Sequence, residues 1–141
     1  MLSRTANYAV RAVVVLARHY GERSMSADEL AATLGAPRNY LSKTLNALTR
    51  SGILTSARGP GGGYALAVAP NALSVAAIAD VFSEARPDAR CVLDNTRCHP
   101  DTPCSAHHRW TRITEDARAL MRHTVIGDLC GSRHTDVASR P

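Results

Sequence analysis

Cys91, Cys98, Cys104 and His107 stand in one short stretch with the spacing C-x6-C-x5-C-x2-H. Pro100 and Pro103 punctuate it and its other residues are largely polar, so neither a helix nor a strand is expected across it. A loop this rich in soft ligands is a metal site or a redox device. Zinc sites usually bring their ligands as close C-x2-C or H-x3-H pairs, and these cysteines form no such pair. Wide, uneven spacing suits a larger inorganic core such as an iron–sulfur cluster. Three thiols also permit one disulfide and a spare, which would make a switch without metal. On the residues alone, cluster, zinc ion and thiol switch all stay open. His107 lies where a helix is expected to begin, at a spacing that lets its ring turn back toward Cys104, with His99 and His108 as its neighbours. Arg90 and Arg97 flank the ligand candidates and would offset thiolate charge, whereas Cys130 lies far along the chain and reads as a bystander thiol.

A second set of residues has the chemistry of nucleic-acid contact. From Arg38 to Ser51, Leu41, Leu45 and Leu48 fall on one helical face, and Asn39, Lys43, Asn46 and Arg50 fall opposite, with Ser42 at the edge. Amide, hydroxyl and cationic side chains of this kind reach base edges and phosphates. A short helix that follows Ser26 and runs through Leu30, Ala31 and Leu34 to Gly35 precedes it across the turn Gly35-Ala36-Pro37, which makes a helix-turn-helix pattern. A plain amphipathic surface helix is the bland alternative. The β-prone stretch 53–56, the turn Arg58-Gly59-Pro60-Gly61-Gly62-Gly63 and a second β-prone stretch over 64–68 then predict a hairpin, which in this place is a wing. Its glycines allow close backbone approach to another surface, and Arg58 at the tip suits a narrow minor groove. A phosphate cradle for a nucleotide is disfavoured, because no Lys-Ser/Thr pair follows the glycines and no helix opens there.

The elements that must position these residues are modest. A chain of 141 residues supports one compact domain with a small appendage. Aromatics are only 4%, so the core must be built from Ala, Val, Leu and Ile. The first helix is expected over Asn7–Tyr20, with Ala9, Val13, Leu16 and Tyr20 inward and Gly21 as its stop; its run Val13-Val14-Val15 needs burial to be helical. Ser26 with Glu29 has capping-box spacing for the second helix. Ser74 can cap a fourth over Val75–Ser83. From about Ser105 a long helix carries Trp110, Ile113, Ala117, Leu120, Met121 and Thr124 in one stripe, the pattern of a helix that pairs with its copy in a homodimer or packs back on its own domain. A last short helical turn is expected over Val125–Leu129, and residues 131–141 read as disordered. The expected layout is a winged helix-turn-helix unit over 1–84, a cysteine-rich loop over 85–104, a dimerisation region over 105–130 and a tail. The fold class is mainly α with a small β-hairpin wing.

Charge separates the halves. Residues 1–70 hold eight Lys/Arg against three Asp/Glu, residues 71–141 hold nine of each, and the net charge of +5 is therefore all in the first half. That favours an anionic partner such as a phosphate backbone, although a basic surface kept for solubility accounts for it equally well. No apolar run is long enough to cross a bilayer and the opening residues lack signal-peptide features, so a cytoplasmic protein without membrane contact is expected. In that compartment cysteines serve as ligands or sensors more often than as structural disulfides. No nucleophile–base pair stands out, and the adjacent Glu115-Asp116 reads as a solvated face, so an enzyme is not expected.

With these residues in view, the chain resembles the Rrf-two (Rrf2) family of bacterial winged-helix regulators. The resemblance spans nearly all of residues 1–130. It rests on the opening Ser3-Arg4-Thr5-Ala6-Asn7-Tyr8-Ala9-Val10-Arg11-Ala12, on Asn39-Tyr40-Leu41-Ser42-Lys43, on Arg58-Gly59-Pro60-Gly61-Gly62-Gly63-Tyr64, and on the three cysteines followed by His107 and Trp110. It implies a homodimer on a roughly palindromic double-stranded DNA operator, with DNA contacts from Arg38, Asn39, Tyr40, Ser42, Lys43, Asn46, Arg58, Gly59 and Gly61. It also implies an iron–sulfur cluster on Cys91, Cys98 and Cys104, sensing redox state, iron–sulfur status or nitric oxide. Members differ in the fourth ligand. Some use a histidine where His107 stands, which favours [2Fe-2S]. Others recruit an aspartate from the partner's first helix, where Asn7, a neutral amide and a poor ligand, stands here; [4Fe-4S] is the alternative cluster. Ser42 stands where the histidine-type members carry a glutamate, and the start Arg38-Asn39 is closer to the aspartate type. Two other classes remain: a cluster-free regulator using thiols or a small ligand, and a zinc-stabilised module that binds protein.

Overall fold

The computed structural model describes residues 2–83 and 101–131. The expected ligands Cys91 and Cys98, with His99, Arg90 and Arg97, lie outside the described residues, as do positions 132–141 of the expected tail.

The chain folds around its first helix, α1 (Arg4–Ala17), which packs against every later helix but the long one. Ala9, Ala12 and Val13 are completely buried, and burial is what keeps the β-branched run helical. The helix starts one turn before the expected Asn7, because the Ser3 hydroxyl caps it by accepting the amide of Ala6 at 3.1 Å. It also ends earlier. His19 and Tyr20 donate their amides to Leu16 and Ala17, the i−3 carbonyls, and this tighter turn swings Tyr20 off the apolar face to 46% exposure.

Helix α2 (Ala27–Leu34) opens on the capping box expected from Ser26 and Glu29: the Ser26 hydroxyl accepts the Glu29 amide at 3.1 Å, and Glu29 accepts the Ser26 amide at 2.7 Å. Gly35 ends it in the left-handed region at φ 60°, a conformation that suits glycine. After Ala36 and Pro37 the chain enters α3 (Arg38–Arg50), whose Leu41, Leu45 and Leu48 are fully buried. Each such leucine contributes ~1.5–3 kcal/mol relative to an exposed one. Thr44, also buried, satisfies its hydroxyl on the Tyr40 carbonyl at 3.1 Å.

Strands β1 (Leu54–Ala57) and β2 (Gly63–Leu66) pair antiparallel, Leu54 opposite Leu66 and Ala57 opposite Gly63. Their inner ends, Leu54 and Leu66, are buried and their outer ends project. A 3-10 turn at Pro70–Ala72 leads to α4 (Val75–Asp80), capped by Ser74 and shorter than the expected 75–83. The long helix α5 (His107–His123) then packs against α4, and the chain returns to the head as α6 (Ile126–Cys130). The return is pinned by two backbone bonds, Val75 amide to Thr124 carbonyl at 3.0 Å and Ile126 amide to Leu73 carbonyl at 2.8 Å. Ile126 is completely buried beside α1, so the last short helix belongs to the core of the winged-helix head rather than to the region expected to pair two chains.

Candidate functional site

The polar side of α3 is exposed along Asn39, Lys43, Asn46 and Arg50, opposite the buried leucines, and Ser42 is half-buried at its edge. Among the described residues Lys43, Arg50 and Arg58 have no carboxylate partner, which leaves three cations for an external anion. The wing joins this face directly: the Tyr64 hydroxyl donates to Oδ1 of Asn46 at 2.9 Å. The wing itself is anchored behind. Tyr64 exchanges two backbone bonds with Met25, at 2.7 and 2.9 Å, and the Ser24 hydroxyl donates to the Gly61 carbonyl at 2.9 Å. Gly59 and Gly61 sit at φ 91° and 73° at the exposed tip, beside Arg58. Only glycine adopts such angles readily, so the tip presents bare backbone on either side of the exposed Pro60, with one long cation beside it.

Two residues expected on this surface are engaged elsewhere in the free chain. Arg38 makes an ion pair with Asp28 in the first turn of α2. Tyr40 turns back onto α1, its hydroxyl hydrogen-bonded to Thr5 and its ring edge-on to Tyr8 with centroids 5.7 Å apart. Arg11 completes this cluster, over the Tyr8 ring at 5.8 Å and donating to the Leu34 carbonyl at 3.4 Å. The group ties the start of α3 to α1 and to the end of α2, where Pro37 provides no side-chain cap. Sequence reasoning did not pick out Thr5, Asp28 or the link from Tyr64 to Asn46. Each is a contact between distant positions that no local periodicity announces.

Electrostatic shifts are few. The Glu29 carboxyl is held below its ordinary value, first by the Ser26 backbone amide and then by Arg23 and the Ser26 hydroxyl. Burial pushes the Cys130 thiol above its ordinary value, with the Arg18 charge opposing, and its sulfur lies 3.3 Å from the Ile126 carbonyl. A protonated, core-packed thiol is poorly nucleophilic, as suits a bystander.

The ligand candidates within the described residues, Cys104 and His107, share one turn at the start of α5. The His107 amide donates to the Cys104 carbonyl at 3.0 Å, and both side chains are half-buried. Ala106 offers no side-chain cap and the first turn of α5 has no acid, so this end of the helix favours negative charge. Thiolate and imidazole at such an end fit an anionic iron–sulfur centre, provided Cys91 and Cys98 reach it. Among the described residues no group of three or more metal-binding side chains is gathered.

The sequence profile of Rrf2, an iron-dependent transcriptional regulator family, matches residues 2–132. The chain belongs to the Rrf2 family. An Aquifex aeolicus protein named as an HTH-type transcriptional regulator is 30% identical over 131 residues, 92% of this chain and 90% of its own length. The regulator IscR of Pectobacterium carotovorum is 26% identical over 140 residues, covering 99% of this chain and 85% of IscR. Among solved structures, CymR (YrzC), the global cysteine regulator of B. subtilis, superposes with a TM-score of 0.76 at 25% identity, over 92% of this chain and 95% of that one. This Rrf2 chain is thus a transcriptional regulator of the DNA-binding winged-helix type and not an enzyme. No helix among its described residues is long and apolar enough to cross a membrane.

Proposed function

We propose that this Rrf2 regulator works as a homodimer on a roughly palindromic operator, with its DNA affinity set by an iron–sulfur cluster on Cys91, Cys98, Cys104 and His107. The observation that carries the DNA half is the Tyr64–Asn46 bond, which makes the α3 face and the wing one continuous surface. On it, Asn39, Ser42, Lys43 and Asn46 would face the major groove and Arg58, Gly59 and Gly61 the minor groove. Arg38 and Tyr40 would act first as positioning residues, through Asp28 and Thr5. Half-sites would be spaced by about one helical turn or a multiple of it.

The cluster half is supported by the Cys104–His107 turn, by the ligand spacing and by similarity to IscR. When bound, the cluster supplies a centre whose charge and ligation answer to redox state, iron–sulfur status or nitric oxide. A histidine fourth ligand favours [2Fe-2S]; Asn7, a neutral and exposed amide, is a poor substitute for the aspartate a [4Fe-4S] form would take from a partner. The chain's own part is mechanical. Helix α5 begins at the ligands, packs on α4 and is tied back at Thr124, so a change at its first turn alters its angle to the head. In a dimer built on α5 that angle sets the distance between the two α3 helices. A cluster-free, thiol- or small-ligand-responsive regulator is the second reading, favoured by similarity to CymR.

The test is anaerobic isolation of the full chain, with visible absorption, iron and acid-labile sulfide measured beside DNA binding at several salt concentrations. The proposal expects iron and sulfide that disappear in the triple Cys91→Ala, Cys98→Ala, Cys104→Ala variant, together with a changed operator affinity. Salt-sensitive, sequence-selective binding that is equal with and without iron would leave the second reading.

A further inference from the structure

The contact between wing and recognition helix has a direction, and the direction bears on base choice. Tyr64 donates and Asn46 Oδ1 accepts, at 2.9 Å. The phenol is not free to wander. Tyr64 is paired across the hairpin with Ser56 and bonded through its amide and carbonyl to Met25. The residue before it, Gly63, is so close to that strand-like segment that a Cβ there would meet the Met25 carbonyl oxygen at 2.5 Å. A hydroxyl delivered from backbone held on both sides is a pre-organised support for the side chain it touches. Asn46 is that side chain, exposed on the face it shares with Asn39 and Lys43.

An asparagine amide reads adenine by accepting from N6–H with Oδ1 while donating to N7 with Nδ2. That pairing needs both ends of the amide in the plane of the base. With Oδ1 bonded to Tyr64 the amide is held, Nδ2 is free to donate, and Oδ1 keeps a second lone pair. Acceptors on the major-groove edge are N7 of adenine and guanine, O6 of guanine and O4 of thymine, and the donors are N6–H of adenine and N4–H of cytosine. We infer that Tyr64 is a specificity-determining residue that acts through Asn46, holding its amide in one orientation so that one base pair of the half-site is read in that orientation. The inference rests on the proposed placement of α3 in the major groove.

The test is selection from a randomised duplex DNA library with the full-length protein and with Tyr64→Phe, Asn46→Ala and the double variant. Tyr64→Phe keeps the ring and its packing and removes only the hydroxyl; Asn46 is on the surface, so its loss leaves the core untouched. The wild type is expected to select one base pair, in one orientation, at a single position of each half-site where Asn46 reads. Asn46→Ala should flatten that position alone. Tyr64→Phe should weaken the preference there by roughly threefold to tenfold, the worth of one hydrogen bond, and leave the other positions unchanged. In the Asn46→Ala background Tyr64→Phe should do nothing more. A profile in which Asn46→Ala flattens no position, or an unchanged Tyr64→Phe profile, overturns the inference. So does an equal loss in both backgrounds, which would make Tyr64 a direct DNA contact. A wild type that selects no sequence at all sinks the operator-binding reading itself, so the two failures are distinguishable.

Discussion

Helices α3 and α5 are both amphipathic, yet α3 fully buries Leu41, Thr44, Leu45 and Leu48, whereas α5 has half-buried residues such as Met121 and none fully buried. Ile113 and Leu120 of α5 are 59% and 68% exposed, whereas every leucine on the inner face of α3 is fully buried. The difference teaches that periodicity defines a face without naming what covers it. For α3 the cover is α1, α2 and β1 of the same chain. For α5, α4 covers only part, and the uncovered stripe is what supports the proposed pairing with a second copy.

That contrast can be broken in graded ways. Leu45→Ala should lower the unfolding free energy by ~2–5 kcal/mol in urea titration, because it opens a cavity in a packed core. Leu120→Ala should change it by less than about 0.5 kcal/mol at a concentration where the chain is monomeric. Equal effects would mean that α5 is as well covered as α3. Next, Ile113→Asp combined with Leu120→Asp should weaken self-association by roughly tenfold or more in sedimentation equilibrium, given ~1.5–3 kcal/mol for each side chain buried in a dimer. Unaltered association would move the proposed interface off this stripe. Lys43→Ala and Arg58→Ala should each weaken operator binding by ~1–3 kcal/mol if they touch bases, or lower the salt slope by about one unit if they touch phosphate, and neither should alter iron content. The smallest effect concerns the cap of α2. The Glu29 carboxyl is depressed in the folded chain, so its stabilising contribution is present above its unfolded value and is lost as pH falls through the folded value. The melting-temperature gap between wild type and Glu29→Ala should therefore close on acidification, and a gap that persists at low pH would assign the effect to packing instead.

Much of the head is readable because local rules and burial agree there. Ser26 and Glu29 at box spacing, Gly35 at a helix end, three leucines at helical intervals and a glycine turn between β-prone residues each have a physical meaning within a few positions. The departures occur where the decision was made at a distance. Tyr20 continues the apolar pattern of α1, but the chain tightens before it and leaves it outside. Arg38 has the chemistry of a DNA contact, but Asp28 from another helix holds it in the free chain.

By itself the sequence determined the helix-turn-helix and wing, the donor set of the cysteine stretch and the cationic bias of the first half, since these follow from residue type and short-range spacing. Tertiary structure alone decided that Ile126 closes the core from the far end of the chain, that Tyr40 leans on Thr5, and that Tyr64 holds Asn46. Those pairings join positions 18 to 35 residues apart, or complete a core with a residue from the last helix, and such closeness depends on how whole elements pack rather than on what stands beside a residue in the chain.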